Sequence, residues 1–228
     1  MSERDFNPSY IGRRPDIERL VPPDARAVLD VGCSTGTLGA AVKARTGALV
    51  VGIELSREMA QVASERIDEV LVGDAAELII LGGLENRRFD TIIFADVLEH
   101  MVDPWAVLRA AVGHLEPGGA VIASIPNVGH MDTISNLVFK ERWPYRERGI
   151  HDRTHLRFFA RKNVVELFKS AGLSIERMQT NYRFIEKPLR INRLARVLAV
   201  PGLRGLLAFQ YLVRGRLAGP STAGRNDE

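Results

Sequence analysis

Three acids and a cluster of histidines are the residues of this 228-residue chain that could do chemistry. Asp30, Glu54 and Asp74 each follow a short apolar run: Ala27-Val28-Leu29, Ala48 to Ile53, and Val70-Leu71-Val72. An acid at the carboxyl end of a buried strand faces the crevice where open α/β sheets bind ligands. After Asp30 comes a turn, V-G-C-S-T-G-T-L-G, holding Gly32, Cys33, Ser34 and Gly36. Glycines in such a turn accept φ > 0 and let a ligand approach the backbone. The helix that follows offers unpaired N–H groups and a positive dipole end. The spacing is neither the G-x-G-x-x-G of a dinucleotide site nor a P-loop, which needs Gly-Lys-Ser/Thr. An acid before the first glycine suits a ligand with a cationic amino-acid end better than a pyrophosphate. Glu54, followed by Leu55, lies 24 residues after Asp30, near the spacing of a carboxylate that accepts two ribose hydroxyls.

Three of the five histidines, His130, His151 and His155, fall between residues 127 and 160. Histidine is the side chain best tuned to take a proton near neutral pH. His155 is the first candidate for a general base, because Asp152, Arg153, Thr154 and His155 form one polar cluster in which Asp152 could fix the imidazole tautomer. His151 and His130 follow. Asn127, Trp143, Tyr145, Asp152 and Arg153 are expected to bind the substrate. No metal site is expected, since the spacing of His151, Asp152 and His155 recurs by chance.

The elements that must position these groups alternate. Strands at 27–30, 48–53, 69–72, 89–95 and 120–125 read as continuous apolar runs, as buried parallel strands do. Helices are expected after the Gly36 turn, with Leu38, Ala41 and Val42 on one face, over 57–66, from Pro104 to about Leu115, and from Asn163 to Ala171. Leu173 to Asn181 reads as a sixth strand, residues 189–199 as a helix, and Leu207 to Arg214 as a last strand. The lone Cys33 excludes an internal disulfide. The amino terminus lacks the apolar core of a signal peptide, and no run reaches the roughly 18 apolar residues of a membrane span, so a cytoplasmic protein is expected. Net charge is +3 but uneven: −8 over residues 1–138 and +11 over 139–228. A basic final third suits an anionic partner.

The run D-V-G-C-S-T-G resembles the first motif, D-x-G-x-G-x-G, of the class I S-adenosylmethionine-dependent methyltransferases. Ser34 stands where that family has its second glycine. D-V-L-E-H after the fourth strand and L-E-P-G-G over 115–119 match the family's further motifs. The resemblance implies a doubly wound, mostly parallel seven-stranded α/β sheet of the Rossmann-like methyltransferase type. Its last strand would be antiparallel, inserted between strands five and six, with a substrate-covering insertion after strand five. One domain over residues 1–216 is expected, with the insertion at about 127–160 and a disordered tail over 217–228. S-adenosyl-L-methionine is the implied cofactor. Asp74 would take the adenine amino group and Ala75 would offer its N–H to the ring. Ala95, Asp96 and His100 would line the same site. Tyr10 and Arg14 lie in a lead-in that packs over the cofactor in the family, although a surface role is the plainer reading.

The stretch R-W-P-Y-R-E-R-G-I-H-D-R-T-H-L-R-F-F resembles a bacterial subgroup linked to glycosyltransferases of surface-polysaccharide pathways, in which leucine replaces His151. The expected activity is therefore O-methylation of a sugar hydroxyl on a glycan, nucleotide-sugar or lipid-linked intermediate. Another small-metabolite N- or O-methyltransferase, a non-catalytic cofactor-binding module and a nucleic-acid methyltransferase are the alternatives. Nucleic acid is disfavoured because no separate RNA-binding domain is present. The expected partner is a small-molecule or glycan substrate, anionic in character. Weak peripheral membrane contact is a second expectation, because Arg190, Arg193 and Arg196 interleave with Ile191, Leu194 and Leu198.

Overall fold

The computed structural model describes residues 12–185 and 189–217, the Arg193 side chain excepted. Tyr10 and the tail from 218 onward lie outside the described residues. The first half runs α1 (Pro15–Glu18), β1 (Ala27–Val31), α2 (Thr37–Thr46), β2 (Leu49–Glu54), α3 (Arg57–Ser64), β3 (Glu69–Val72), α4 (Ala75–Ile80), β4 (Phe89–Ala95), α5 (Pro104–Val112) and β5 (Leu115–Pro126). The second half adds α6 (Met131–Lys140), α7 (Arg161–Ser170), β6 (Leu173–Tyr182), α8 (Asn192–Val197), α9 (Arg204–Leu207) and β7 (Ala208–Leu217). The seven strands lie in the order β3-β2-β1-β4-β5-β7-β6. Strands β1 to β5 pair in parallel, while β7 is antiparallel to both β5 and β6. The expected sheet is therefore present, with its last strand inserted between five and six.

Both sheet faces are covered, which is why the central strands read as unbroken apolar runs. Side chains alternate between the faces with period 2. Leu29, Ile53, Ile92, Phe94 and Val121 join one core with Val107 and Leu108 of α5 and with Val164, Leu167 and Phe168 of α7. Val28, Val50, Ile93 and Ile122 join the other with Ile17 of α1, Leu38 and Val42 of α2 and Ala63 of α3. Strand ends are thereby fixed to within a residue, and with them the acids that follow.

Several boundaries differ from the sequence reading. Helix α4, where no element was named, is capped by Asp74, which accepts from the backbone N–H of Ala76 at 2.8 Å and of Glu77 at 3.0 Å. Helix α5 stops at Val112, because Leu115 already pairs with Phe89 in the sheet. The helix expected over 189–199 is reduced to the six residues of α8. Leu217, expected to open the tail, instead ends β7, where it pairs with Leu173. No helix among the described residues is long and apolar enough to cross a membrane.

Candidate active site

A cavity of about 730 Å³ opens at the carboxyl ends of β2, β1, β4 and β5, closed on one side by the start of β7 and by residues 148–155. At its β1–β2 end the turn after β1 is held in a left-handed conformation. Gly32 has φ +69°, and a Cβ there would sit 2.7 Å from Cγ2 of Val97. Ser34 adopts φ +52°, so the position that is glycine in the resembling motif keeps its backbone shape. Gly39 lets α2 close on β2, since a Cβ would meet Val50 and Ile67 at about 3 Å. Thr35, Thr37 and Leu38 bring the start of α2 to the cavity wall.

Two acids face this end. Glu54 is clamped by backbone donors, Ser34 N–H to Oε2 at 2.8 Å and Ser56 N–H to Oε1 at 2.9 Å. Each carboxylate oxygen retains a further lone pair for a ligand hydroxyl. Asp30 is buried and its Oδ2 has no partner. Burial, then the charge of Glu54, pushes its pKa up to about 7, partly offset by a hydrogen bond from the Gly39 N–H. An orphaned, buried carboxylate facing the cavity fits a ligand with a cationic end, the fit S-adenosylmethionine requires. Leu55, Met59 and Ala95 supply apolar wall. Cys33 packs on Gly52 from within the turn, and burial pushes its thiol pKa up, which keeps it protonated.

At the β4–β5 end Asp96 has φ +59° and accepts from Ser124 Oγ at 2.9 Å, from Gln210 and from Arg14. Beyond it stand Glu99, His100, Asp152, Thr154 and His155. His155 Nδ1 lies 3.2 Å from the carbonyl of Ile150, which can only accept. That contact assigns the proton to Nδ1 and leaves Nε2 as a lone pair. Nε2 is 4.0 Å from Oε1 of Glu99. Burial, then the neighbouring His100, holds the His155 pKa below the usual histidine range. Glu99 is buried with neither carboxylate oxygen hydrogen-bonded, and burial with the charge of Asp96 pushes its pKa well up. Burial thus works against the charged form of both Glu99 and His155.

His100 meets His155 edge to face at 4.6 Å between ring centres. Its Nδ1 lies 3.0 Å from Thr154 Oγ1, whose own hydrogen goes to Asp152 Oδ1 at 2.7 Å. Asp152 thus orients His100 through Thr154, while a carbonyl fixes His155, contrary to the expectation that Asp152 would do so. Glu99, His100 and His155 bring one ligand atom each within 4.8 Å of one another, a spacing a divalent ion could span. The expectation of no metal site did not foresee that grouping.

Of the expected cofactor residues, Asp30, Gly32, Cys33, Ser34, Glu54, Leu55, Ala95, Asp96 and His100 line the cavity. Gly36 caps α2 instead. Asp74 and Ala75 lie outside the cavity wall, and Asp74 Oδ1 accepts both cap N–H groups of α4. Of the expected bases only His155 reaches the cavity. His130 accepts the Asp132 N–H at Nδ1 and donates from Nε2 to the Arg183 carbonyl at 2.8 Å. His151 is wholly buried, 2.9 Å from Thr133 Oγ1, with its pKa lowered to about 4 by burial and then by Arg146. Asp152 lines the cavity, but four expected substrate residues do not. Asn127 ties β5 to β7 by donating to the carbonyls of Gly205 and Ala208. Trp143 packs edge-on against His151 and Phe158, Tyr145 is exposed, and Arg153 pairs with Glu147.

Several wall residues escaped the sequence reading: Glu99, Gly149, Ile150, Phe209 and Gln210; Arg14, named there with the lead-in, also lines the wall. Glu99 stood within D-V-L-E-H and was within reach of that motif. Nothing local marks Phe209 and Gln210, which arrive through the antiparallel pairing of β7 with β5.

A family model described as a methyltransferase domain matches residues 11–177. A ubiquinone biosynthesis O-methyltransferase of Methylobacterium nodulans is 30% identical over 178 residues, 75% of this chain and 68% of that protein. One of the same name from Paracidovorax citrulli is 35% identical over 127 residues, 54% of this chain and 52% of that protein, so this match spans about half of the relative. Among solved structures, an S-adenosylmethionine-dependent methyltransferase from Mesorhizobium loti superposes with TM-score 0.61 at 17% identity, covering 89% of this chain and 96% of that one. Another from Thermotoga maritima, described as a possible histamine N-methyltransferase, superposes with TM-score 0.62 at 20% identity, covering 92% and 88%. At those identities the structural likeness speaks for the fold alone.

Proposed function

The chain belongs to the class I S-adenosylmethionine-dependent methyltransferases, and from that premise we propose that it methylates a phenolic hydroxyl carried on an apolar body. When bound, S-adenosylmethionine supplies a methyl group already activated by its sulfonium. The chain must then hold an acceptor oxygen in line with that carbon and take its proton, and alignment alone can supply much of the acceleration. Asp30 would hold the cationic amino-acid end and Glu54 the ribose hydroxyls. His155 Nε2 would take the acceptor proton, with its tautomer set by the Ile150 carbonyl.

The observation that carries the phenolic reading is the apolar wall of the cavity around His155. Burial, and then His100, also holds the His155 pKa below the usual histidine range, and a weakened base suits an acidic hydroxyl. A phenol ionises near pH 10, as tyrosine does, whereas water ionises near 15.7. Leu38, Val97, Pro126, Ile150 and Phe209 give the cavity apolar walls. The polar groups nearby, Arg14, Asp96 and Gln210, are already joined to one another. Neither relative named above carries a polysaccharide name.

Product mass analysis tests this. The purified protein with S-adenosylmethionine should methylate catechols and other phenols bearing apolar substituents, and leave nucleotide-sugars, lipid-linked sugars and imidazole amines untouched. Methylation of a sugar with no reaction on phenols would restore the glycan reading. Repeating the assay with a chelator separates the histidine base from a cation held at Glu99, His100 and His155. Activity lost to the chelator and restored by a divalent ion would favour the cation.

A further inference from the structure

Residues 189–206 hold four arginines, eight leucine, isoleucine or valine residues and no acid. A helix of this composition can bury its aliphatic side chains in the domain and leave the arginines in water. The structure shows the reverse for the aliphatic ones. Among the described side chains of α8 only Ala195 is buried, Leu194 and Val197 are 56% and 74% exposed, and Leu198, Val200 and Leu203 beyond it are also exposed. Helix α8 packs on β6, the edge strand of the sheet.

Beside this apolar face lies a groove of about 1080 Å³. Arg19, Arg177, Arg183, Arg190 and Arg196 line it, and the one acid in its wall among the described residues is Asp16. Asp16 is already engaged, by Arg14 at 3.0 Å and by Asn181 at 3.0 Å. The groove also shares a wall with the catalytic cavity. Arg14 and Gln210 line the cavity, Asp16 and Asn181 line the groove, and Gln210 accepts from both Arg14 and Asn181 at 3.3 Å.

We infer that this face docks on an anionic lipid bilayer, with aliphatic side chains of residues 191–203 in the acyl boundary and lipid phosphates in the arginine groove. The charge complementarity is direct: arginine forks match phosphate oxygens, and exposed aliphatics beside them match the headgroup boundary. A protein partner would be better served by the aromatic anchors typical of interface centres, which residues 189–206 lack. Docking here would set the wall of the catalytic cavity against the membrane. The inference stands on this face and is independent of the acceptor's identity.

Vesicle sedimentation with the full chain tests it, comparing pure phosphatidylcholine with phosphatidylcholine containing phosphatidylglycerol. Binding should appear with the anionic vesicles alone and weaken with salt. Arg190→Ser with Arg196→Ser should lower the partition about 25-fold, roughly fivefold per arginine. Leu194→Ser with Val197→Ser should lower it as well. All four side chains are exposed, so circular dichroism should be unchanged. No binding to anionic vesicles at low salt, or binding untouched by either double variant, overturns the inference. If vesicles fail but millimolar pyrophosphate raises the melting temperature in a manner abolished by Arg190→Ser with Arg196→Ser, the groove serves a soluble phosphate ligand instead. Concentration-dependent dimers broken by Leu194→Ser with Val197→Ser, with no vesicle binding, would make the face an interface between copies.

Discussion

At the β1–β2 end of the cavity each acid sits near the end of a strand, and backbone N–H groups of the adjoining loops or helix hold it. Glu54 ends β2 and is held by the N–H groups of Ser34 and Ser56; Asp30 lies in β1 under the Gly39 N–H. At the β4–β5 end the working groups come from a 3₁₀ turn, a loop and the start of β7, and side chains hold side chains. Asp152 orients His100 through Thr154, and Glu99 faces His155 with no partner of its own. The first end is specified by local chain geometry. The second exists only when segments far apart in sequence meet, so chemically equivalent residues there take unequal roles.

The sharpest test of that contrast is His155. His155→Ala should lower turnover by roughly 10²–10⁴, as loss of a general base does, and leave cofactor affinity intact in calorimetry. Near-normal turnover would reduce His155 to a wall residue and move the chemistry to His100 or to a cation.

His151 should report on stability instead. Its pKa in the fold is about 4, against 6.5 ordinarily. Above pH 6.5 the imidazole is neutral in both folded and unfolded chains, and the contribution to stability is fully present. As pH falls from 6.5 towards 4, the unfolded chain binds a proton that the folded chain refuses, so stability falls. The loss should reach up to about 3 kcal/mol at 1.36 kcal/mol per pKa unit. Urea unfolding of the wild type and His151→Gln across that window measures it; identical slopes would show that His151 does not titrate with folding.

At the other end, Glu54→Ala should weaken S-adenosylmethionine binding by about 1.5–3 kcal/mol, roughly 10- to 150-fold, because a charge-assisted hydrogen-bond acceptor is removed. Unchanged affinity would leave Glu54 only its clamp on the two loops.

The smallest effect is expected at Asp74. Asp74→Ala should cost about 1 kcal/mol of stability through the lost helix cap while leaving cofactor affinity unchanged. A large drop in affinity would return Asp74 to the adenine site.

The sequence by itself determined the sheet, the turn after β1 and the acids Asp30 and Glu54. Buried strands need unbroken apolar runs, left-handed turns need glycine or a small polar residue, and a side chain in the last two residues of a buried strand has few directions open to it. Even Ser34 in place of glycine was readable as tolerable, and φ +52° bears that out. The sequence did not determine what Asp74 does, because an acid before a helix and an acid facing a ligand have the same local pattern. It ranked His155 ahead of His151 and His130, but not for the contacts that set the three apart. Their neighbours along the chain are alike, and what distinguishes them is the Arg183 carbonyl, the Thr133 hydroxyl and the carboxyl of Glu99, reached across 53, 18 and 56 residues. Phe209 and Gln210 were hidden for the same reason, as was the exact place of Arg14, which was named only as part of the lead-in. They enter the cavity from the two ends of the described chain, brought there by the antiparallel register of β7 on β5 and by the pairing of Arg14 with Asp96. Hydrogen bonds between distant segments decide where a loop side chain points, and no local periodicity encodes them.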